Sequence, residues 1–72
     1  MNMNDLLTEL EAAEYMRVSI FSVQRWRVNG NGPPYMKLGL KTIRYRREDI
    51  DNWMMKFIKT SESNLYKGTT YD

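Results

Sequence analysis

The side chains best equipped for chemistry in this sequence are cations. From Tyr15 to Arg47 there is no Asp or Glu, and the same window holds Arg17, Arg25, Arg27, Lys37, Lys41, Arg44, Arg46 and Arg47. Six of these eight are arginine, whose planar guanidinium forks onto phosphate oxygens and onto the O6/N7 edge of guanine. All nine acids lie outside the window: Asp5, Glu9, Glu11 and Glu14 before it, and Glu48, Asp49, Asp51, Glu62 and Asp72 after it. The net charge is only +2, so the information lies in where the charge sits. A basic zone between acidic shoulders suits a polyanion, and a solvated face that keeps the chain soluble is the plainer alternative.

Other chemistry is poorly provided for. There is no cysteine, hence no disulfide and no thiolate zinc site, and no histidine, hence no imidazole ligand or general base. Seventy-two residues leave little volume for both a core and a cleft. Neither an enzyme nor a cofactor or metal site is expected. The Glu48, Asp49 and Asp51 cluster reads as acids in the first turn of a helix, and the six methionines as gap fillers. The opening MNMNDLLTEL has no basic start and no long apolar run, so no export signal is expected. No stretch approaches the roughly 18 apolar residues of a membrane span. With no export signal, the expected location is the cytoplasm.

The elements that must position the cations follow from local pattern. Residues 1 to 7 form a lead-in, with Leu6 and Leu7 available to dock on the core. Thr8-Glu9-Leu10-Glu11 is a capping box, and the helix it opens runs through Ala12, Ala13, Tyr15 and Met16. Arg17-Val18-Ser19 interrupts it, and Ser19 is a good N-cap for a second helix. That helix carries Ile20, Val23 and Trp26 on one face and ends near Asn29-Gly30. Asn31-Gly32-Pro33-Pro34 is a loop. Residues 35–45 then alternate as a β-hairpin, with Met36, Leu38, Ile43 and Tyr45 on an apolar face and a turn at Gly39-Leu40-Lys41. The alternative two-residue registers of that turn leave the same residues inside. A third helix starts near Arg46-Arg47, with Ile50, Trp53, Met54 and Phe57 in one stripe. The expected division is a domain over 1–58 and a flexible polar tail over 59–72.

Two short helices around a three-residue turn have the layout of a helix-turn-helix. Ala12, Ala13, Met16, Val18, Val23 and Trp26 supply the apolar crossing. The outward face of the second helix then holds Phe21, Ser22, Gln24, Arg25 and Val28, with Ser19 and Ile20 at the end that enters the major groove in such units.

The chain resembles the winged helix-turn-helix domain of phage and mobile-element excisionases and AlpA-type regulators, which are similar to the DNA-binding half of MerR proteins. The resemblance covers roughly residues 6 to 55. It is carried by Leu7 to Met16, Val18-Ser19, Val23-Gln24-Arg25-Trp26, Gly32 to Gly39, Arg44 to Ile50, and Trp53. It implies a small α+β winged helix-turn-helix fold, a recognition helix over 19–29 in the major groove, and the hairpin as a wing. Two departures stand out. Arg17 occupies a turn position that is often Gly in the family, so it adopts a left-handed backbone or another turn. Ile20 and Phe21 stand where polar residues are frequent.

The expected DNA contacts are then Ser19, Ile20, Phe21, Ser22, Gln24, Arg25 and Arg27 from the helix, and Lys37, Lys41, Thr42, Arg44 and Arg46 from the wing. Arg25 is the foremost candidate to read a base or clamp a phosphate, and Gln24 can pair with adenine. For Ser19 the cap alone is the simpler role, and for Arg27 a salt bridge competes with DNA. The wing cations fit backbone positioning. Trp26 and Trp53 are expected in the core. The partner expected is double-stranded DNA, with an integrase (a tyrosine recombinase) or neighbouring protomers on DNA as further partners and a monomer in solution. The alternative is a protein-interaction module, anti-repressor-like, using exposed Phe21 and Leu40 and the tail residues Leu65, Tyr66 and Tyr71.

Overall fold

The computed structural model describes residues 5–59. The elements are β1 (Leu6–Leu7), α1 (Glu9–Met16), α2 (Ile20–Asn29), β2 (Met36–Leu38), β3 (Thr42–Arg46) and α3 (Arg47–Met55). The expectations for the tail, including Leu65, Tyr66 and Tyr71, fall from residue 60 onward outside the described residues.

The first two helices start and stop as local chemistry dictates. The Thr8 hydroxyl accepts from the Glu11 N–H at 3.1 Å, and the Glu11 carboxylate accepts from the Thr8 N–H at 2.9 Å. This reciprocal pair satisfies amides that α1 itself cannot. The helix ends at Arg17, at φ 59° and ψ 44°. There the Arg17 N–H donates to the Glu14 carbonyl at 3.1 Å and the Val18 N–H to the Ala13 carbonyl at 2.9 Å, which closes the last turn. Ser19 caps α2, its Oγ accepting from the Phe21 N–H at 3.0 Å. The end of α2 repeats the α1 closure around Gly30 (φ 77°), with Gly30 donating to the Arg27 carbonyl and Asn31 to that of Trp26. Of the two conformations open to Arg17, the chain takes the left-handed one, which suits glycine and strains arginine.

The strands form one antiparallel sheet in the order β1-β3-β2. The lead-in docks as a strand, with Leu7 opposite Tyr45 and both buried. The hairpin departs from expectation. Met36 pairs with Arg44, Lys37 with Ile43 and Leu38 with Thr42, leaving a three-residue loop over 39–41. An even loop would place Met36, Leu38, Ile43 and Tyr45 on one face. The odd loop shifts the partner strand by one residue, and a one-residue shift exchanges its faces. Directly paired residues share a face, so Met36, Leu38, Thr42 and Arg44 lie on one side. Lys37, Ile43 and the buried Tyr45 lie on the other. Leu38 is accordingly exposed.

The core consists of Leu7, Ala12, Ala13, Val23, Tyr45 and Ile50, with Met16, Ile20, Trp26, Ile43 and Met54 packed against it. The paired alanines let α1 and α2 approach closely. Three expected core positions lie elsewhere. Val18 is exposed in the turn, Phe57 is exposed because α3 stops at Met55, and Trp53 is only half-buried. Trp53 packs at a tilt against Trp26 at 5.2 Å and edge-on against Phe57 at 4.8 Å between ring centroids, forming an outer aromatic layer. The 31–35 loop straps against this layer through Gly32, where an added Cβ would lie 2.7 Å from the Cβ of Trp26. Three helices and a three-stranded antiparallel sheet in this order make this a small α+β winged helix-turn-helix.

Candidate nucleic-acid interface

The outward face of α2 follows from its 3.6-residue period. Val23 is fully buried, which turns Phe21, Gln24, Arg25 and Val28, at i, i+3, i+4 and i+7, away from the core. Phe21 is 72% and Val28 75% exposed. Arg25 stands between them, exposed, and among the described residues it makes no ion pair. Gln24 is half-buried beside it. The N-terminal end of α2 carries Ser19 and Ser22, and the Ser19 hydroxyl is engaged as the cap.

Three expected contacts are directed elsewhere. Ile20 is half-buried and packs on the core, because it continues the inward face of Val23. Arg27 Nε donates to Glu9 Oε2 in an ion pair that joins α2 to the first turn of α1. The Glu9 carboxylate holds the Arg27 guanidinium further into its charged form. Arg46 is also committed. Its Nε and Nη2 donate to the two Asp49 carboxylate oxygens at 2.7 and 2.8 Å. The Asp49 carboxyl is held below its ordinary value by that fork. Arg46 thus ties the end of β3 to the first turn of α3, which has no side-chain cap of its own.

The wing divides its cations. Lys41 lies in the loop at the tip, and Thr42 and Arg44 lie on the outer face. Arg44 is half-buried, its Nη1 donating back to the Ile43 carbonyl at 2.8 Å. Lys37 is exposed but on the opposite face, through its pairing with Ile43. The hairpin therefore presents cations at its tip and along two faces, not along one. Leu40, at the tip, is 88% exposed.

One cation gains importance from the structure. Arg17 belongs to the basic zone but is absent from the expected DNA contacts, and the left-handed turn leaves its side chain exposed beside the start of α2. The signal was its position two residues before the Ser19 cap. Arg47 has a structural task, lying 4.8 Å over the Tyr15 ring while the Tyr15 hydroxyl donates to Asp51 at 2.6 Å. That hydrogen bond to Asp51 raises the Tyr15 phenol above its usual value. Among the described residues, no group of three acids, histidines or cysteines could hold a metal ion. No helix there is long and apolar enough to cross a membrane.

Among the described residues, an arginine without an ion pair on an acid-free helix face, in a chain that also carries a basic hairpin, suits a groove lined by phosphates. A family described as a helix-turn-helix domain matches residues 6–57, from β1 to just past α3. The curated proteins contain no match to the chain. With most of its length matched and the two capped helices in place, the chain belongs to this helix-turn-helix family and is a DNA-binding protein.

Proposed function

We propose that the protein is a non-catalytic DNA-binding accessory factor of a phage or mobile element, acting as an excisionase or as an AlpA-like transcriptional regulator. In this reading α2 lies in the major groove and the hairpin reaches the backbone beside it. Arg25 contacts a base or phosphate from the groove face. Arg17, Lys41, Thr42 and Arg44 position the duplex through its phosphates, and Lys37 does so from the other face of the wing. Neighbouring copies or an integrase on the same DNA would complete the assembly, and the tail beyond residue 59 is the segment available to meet them.

The observation that carries the reading is the exposed, unpaired Arg25 on a helix face without acids, while Arg27 and Arg46 are held in ion pairs. The finer assignment rests on the resemblance to excisionases and AlpA-type regulators, which runs in the same order through residues 6 to 55. Binding to duplex DNA as a function of salt tests it. If about 4–6 phosphates are neutralised, log K falls with log[salt] at a slope of roughly −4 to −5. A flat salt response would remove the phosphate-clamp role of the wing. An adjacent tyrosine recombinase gene, with recombination of its attachment sites dependent on this protein, separates the excisionase role from transcriptional control. Retention of a protein partner without DNA binding would favour the interaction-module alternative, for which exposed Phe21 and Leu40, with the tail residues Leu65, Tyr66 and Tyr71, are the motive.

A further inference from the structure

The groove-facing side of α2 is unusual in its chemistry. It has one free cation, Arg25, and two large apolar side chains, Phe21 and Val28, among the most exposed in the described chain. Neither is needed by the core, which α2 reaches through Ile20, Val23 and Trp26. The apolar feature that B-DNA offers in its major groove is the C5-methyl of thymine, while guanine offers the O6/N7 acceptors that an arginine fork matches. The face has the charge to suit this partner, since no acid lies anywhere from Tyr15 to Arg47.

Resting on the DNA-binding reading above, we infer that α2 reads thymine methyl groups through Phe21 and Val28 on either side of a guanine held by Arg25. The spacing is compatible. A helix rises about 1.5 Å per residue, placing Phe21 about 6 Å and Val28 about 4.5 Å from Arg25 along the axis. Base pairs are stacked about 3.4 Å apart, so each apolar side chain falls within about two base pairs of the guanine. Phe21 is at the N-terminal end of α2, the end that penetrates deepest in helix-turn-helix complexes. The recognised element is thus a guanine flanked by thymine-bearing pairs, and its recognition depends on a methyl group as much as on hydrogen bonds.

The test uses the duplex enriched by the full chain from a random-sequence pool, remade with deoxyuridine at each thymidine. The substitution removes only the C5-methyl. Loss of a buried methyl weakens binding by about fourfold per group contacted. The expected result is weaker binding of the uracil duplex by the wild-type protein. Phe21→Ala should bind the thymine duplex more weakly and lose part of the thymine–uracil difference, and Val28→Ala should lose another part. Both side chains are exposed, so unchanged thermal melting should accompany both variants. Equal affinity for thymine and uracil duplexes overturns the inference and leaves DNA binding intact. So does a difference that survives both substitutions, or an enriched site without thymine near its guanine. If Phe21→Ala instead abolishes capture of a protein while DNA affinity is unchanged, the face serves a protein partner and the inference also falls. Failure to bind any duplex would strike the DNA-binding reading itself.

Discussion

Arg27 and Glu9 form an ion pair across the crossing of α2 and α1, and this pair engages one of the two arginines of α2 while leaving Arg25 exposed. Arg25 and Arg27 are two residues apart and therefore point in different directions from a helix. The one that meets Glu9 becomes a structural brace. The other faces outward and, among the described residues, pairs with no acid.

Replacing either member of the brace should cost stability. Glu9 and Arg27 side chains are 15% and 26% exposed, so removing one leaves the other poorly solvated. Glu9→Ala or Arg27→Ala is expected to lower unfolding free energy by about 1–3 kcal/mol, read from urea titrations. DNA affinity measured well below the melting temperature should be largely kept by Arg27→Ala. Strong loss of affinity with unchanged stability would return Arg27 to the DNA surface.

The strained turn offers a test of opposite sign. An L-residue in the left-handed region is disfavoured by roughly 1–2 kcal/mol, and glycine gives back part of that gain through unfolded-chain entropy. Arg17→Gly should therefore stabilise the domain by about 0.5–1 kcal/mol. Arg17→Ala keeps the strain and removes only the charge, so its DNA affinity isolates any phosphate contact. A destabilised Arg17→Gly would show that the side chain makes contacts that offset the strain.

Gly32 should tolerate no side chain. A Cβ there would lie 2.7 Å from the Cβ of Trp26, which sits on the helix stem and cannot swing aside. Gly32→Ala is expected to destabilise by about 1–3 kcal/mol and to shift tryptophan fluorescence, since Trp26 packs against Trp53. Unchanged fluorescence and melting would mean that the loop moves freely away from α2.

Tyr45 and Asp49 tie stability to pH in opposite directions. Burial, with the nearby Glu9 charge adding to it, pushes the Tyr45 phenol from 10.0 up to about 12. A raised phenol value favours the folded state fully below pH 10, and this contribution is lost as pH rises from there toward 12. Asp49 behaves oppositely. Arg46 holds its carboxyl below the ordinary 3.8, so the Arg46–Asp49 contribution is present above that value and is lost as pH falls through the lower, folded-state value. Tyr45→Phe should flatten the alkaline limb of a stability–pH curve, and Asp49→Asn the acid limb. Unaltered limbs would assign the dependence to other groups.

Much of the scaffold could be read from single residues. Thr8 with Glu11, Ser19, and Asn29-Gly30 each act within one turn of the chain, and each element bound they imply is where the structure has it. What could not be read depends on distant partners. A two-residue strand such as Leu6–Leu7 shows no period and exists only because β3 lies beside it. The faces of the hairpin turn on whether its loop is odd or even, which Gly39-Leu40-Lys41 does not specify, so alternation alone puts Leu38 and Lys37 on each other's sides. At the interface, Phe21 and Arg25 were legible from helical period alone. For Arg27 a salt bridge is legible as an alternative to DNA, but its partner Glu9, 18 residues away, is not. Arg46 and Asp49 are only three residues apart, yet their pairing depends on how the end of β3 turns into α3.

The role of Arg25 is the point on which everything else turns. The direct measurement is selection from a random duplex pool at about 150 mM salt, run in parallel on the wild-type chain and Arg25→Ala, with melting curves on both. A sharp motif for the wild type is expected. Arg25→Ala should lose about 1–3 kcal/mol of affinity and relax the preference at one position, with folding stability changed by less than about 0.5 kcal/mol. Equal retention and an identical motif from the two proteins would contradict direct readout by α2, and no retention of DNA by either would contradict the DNA-binding assignment.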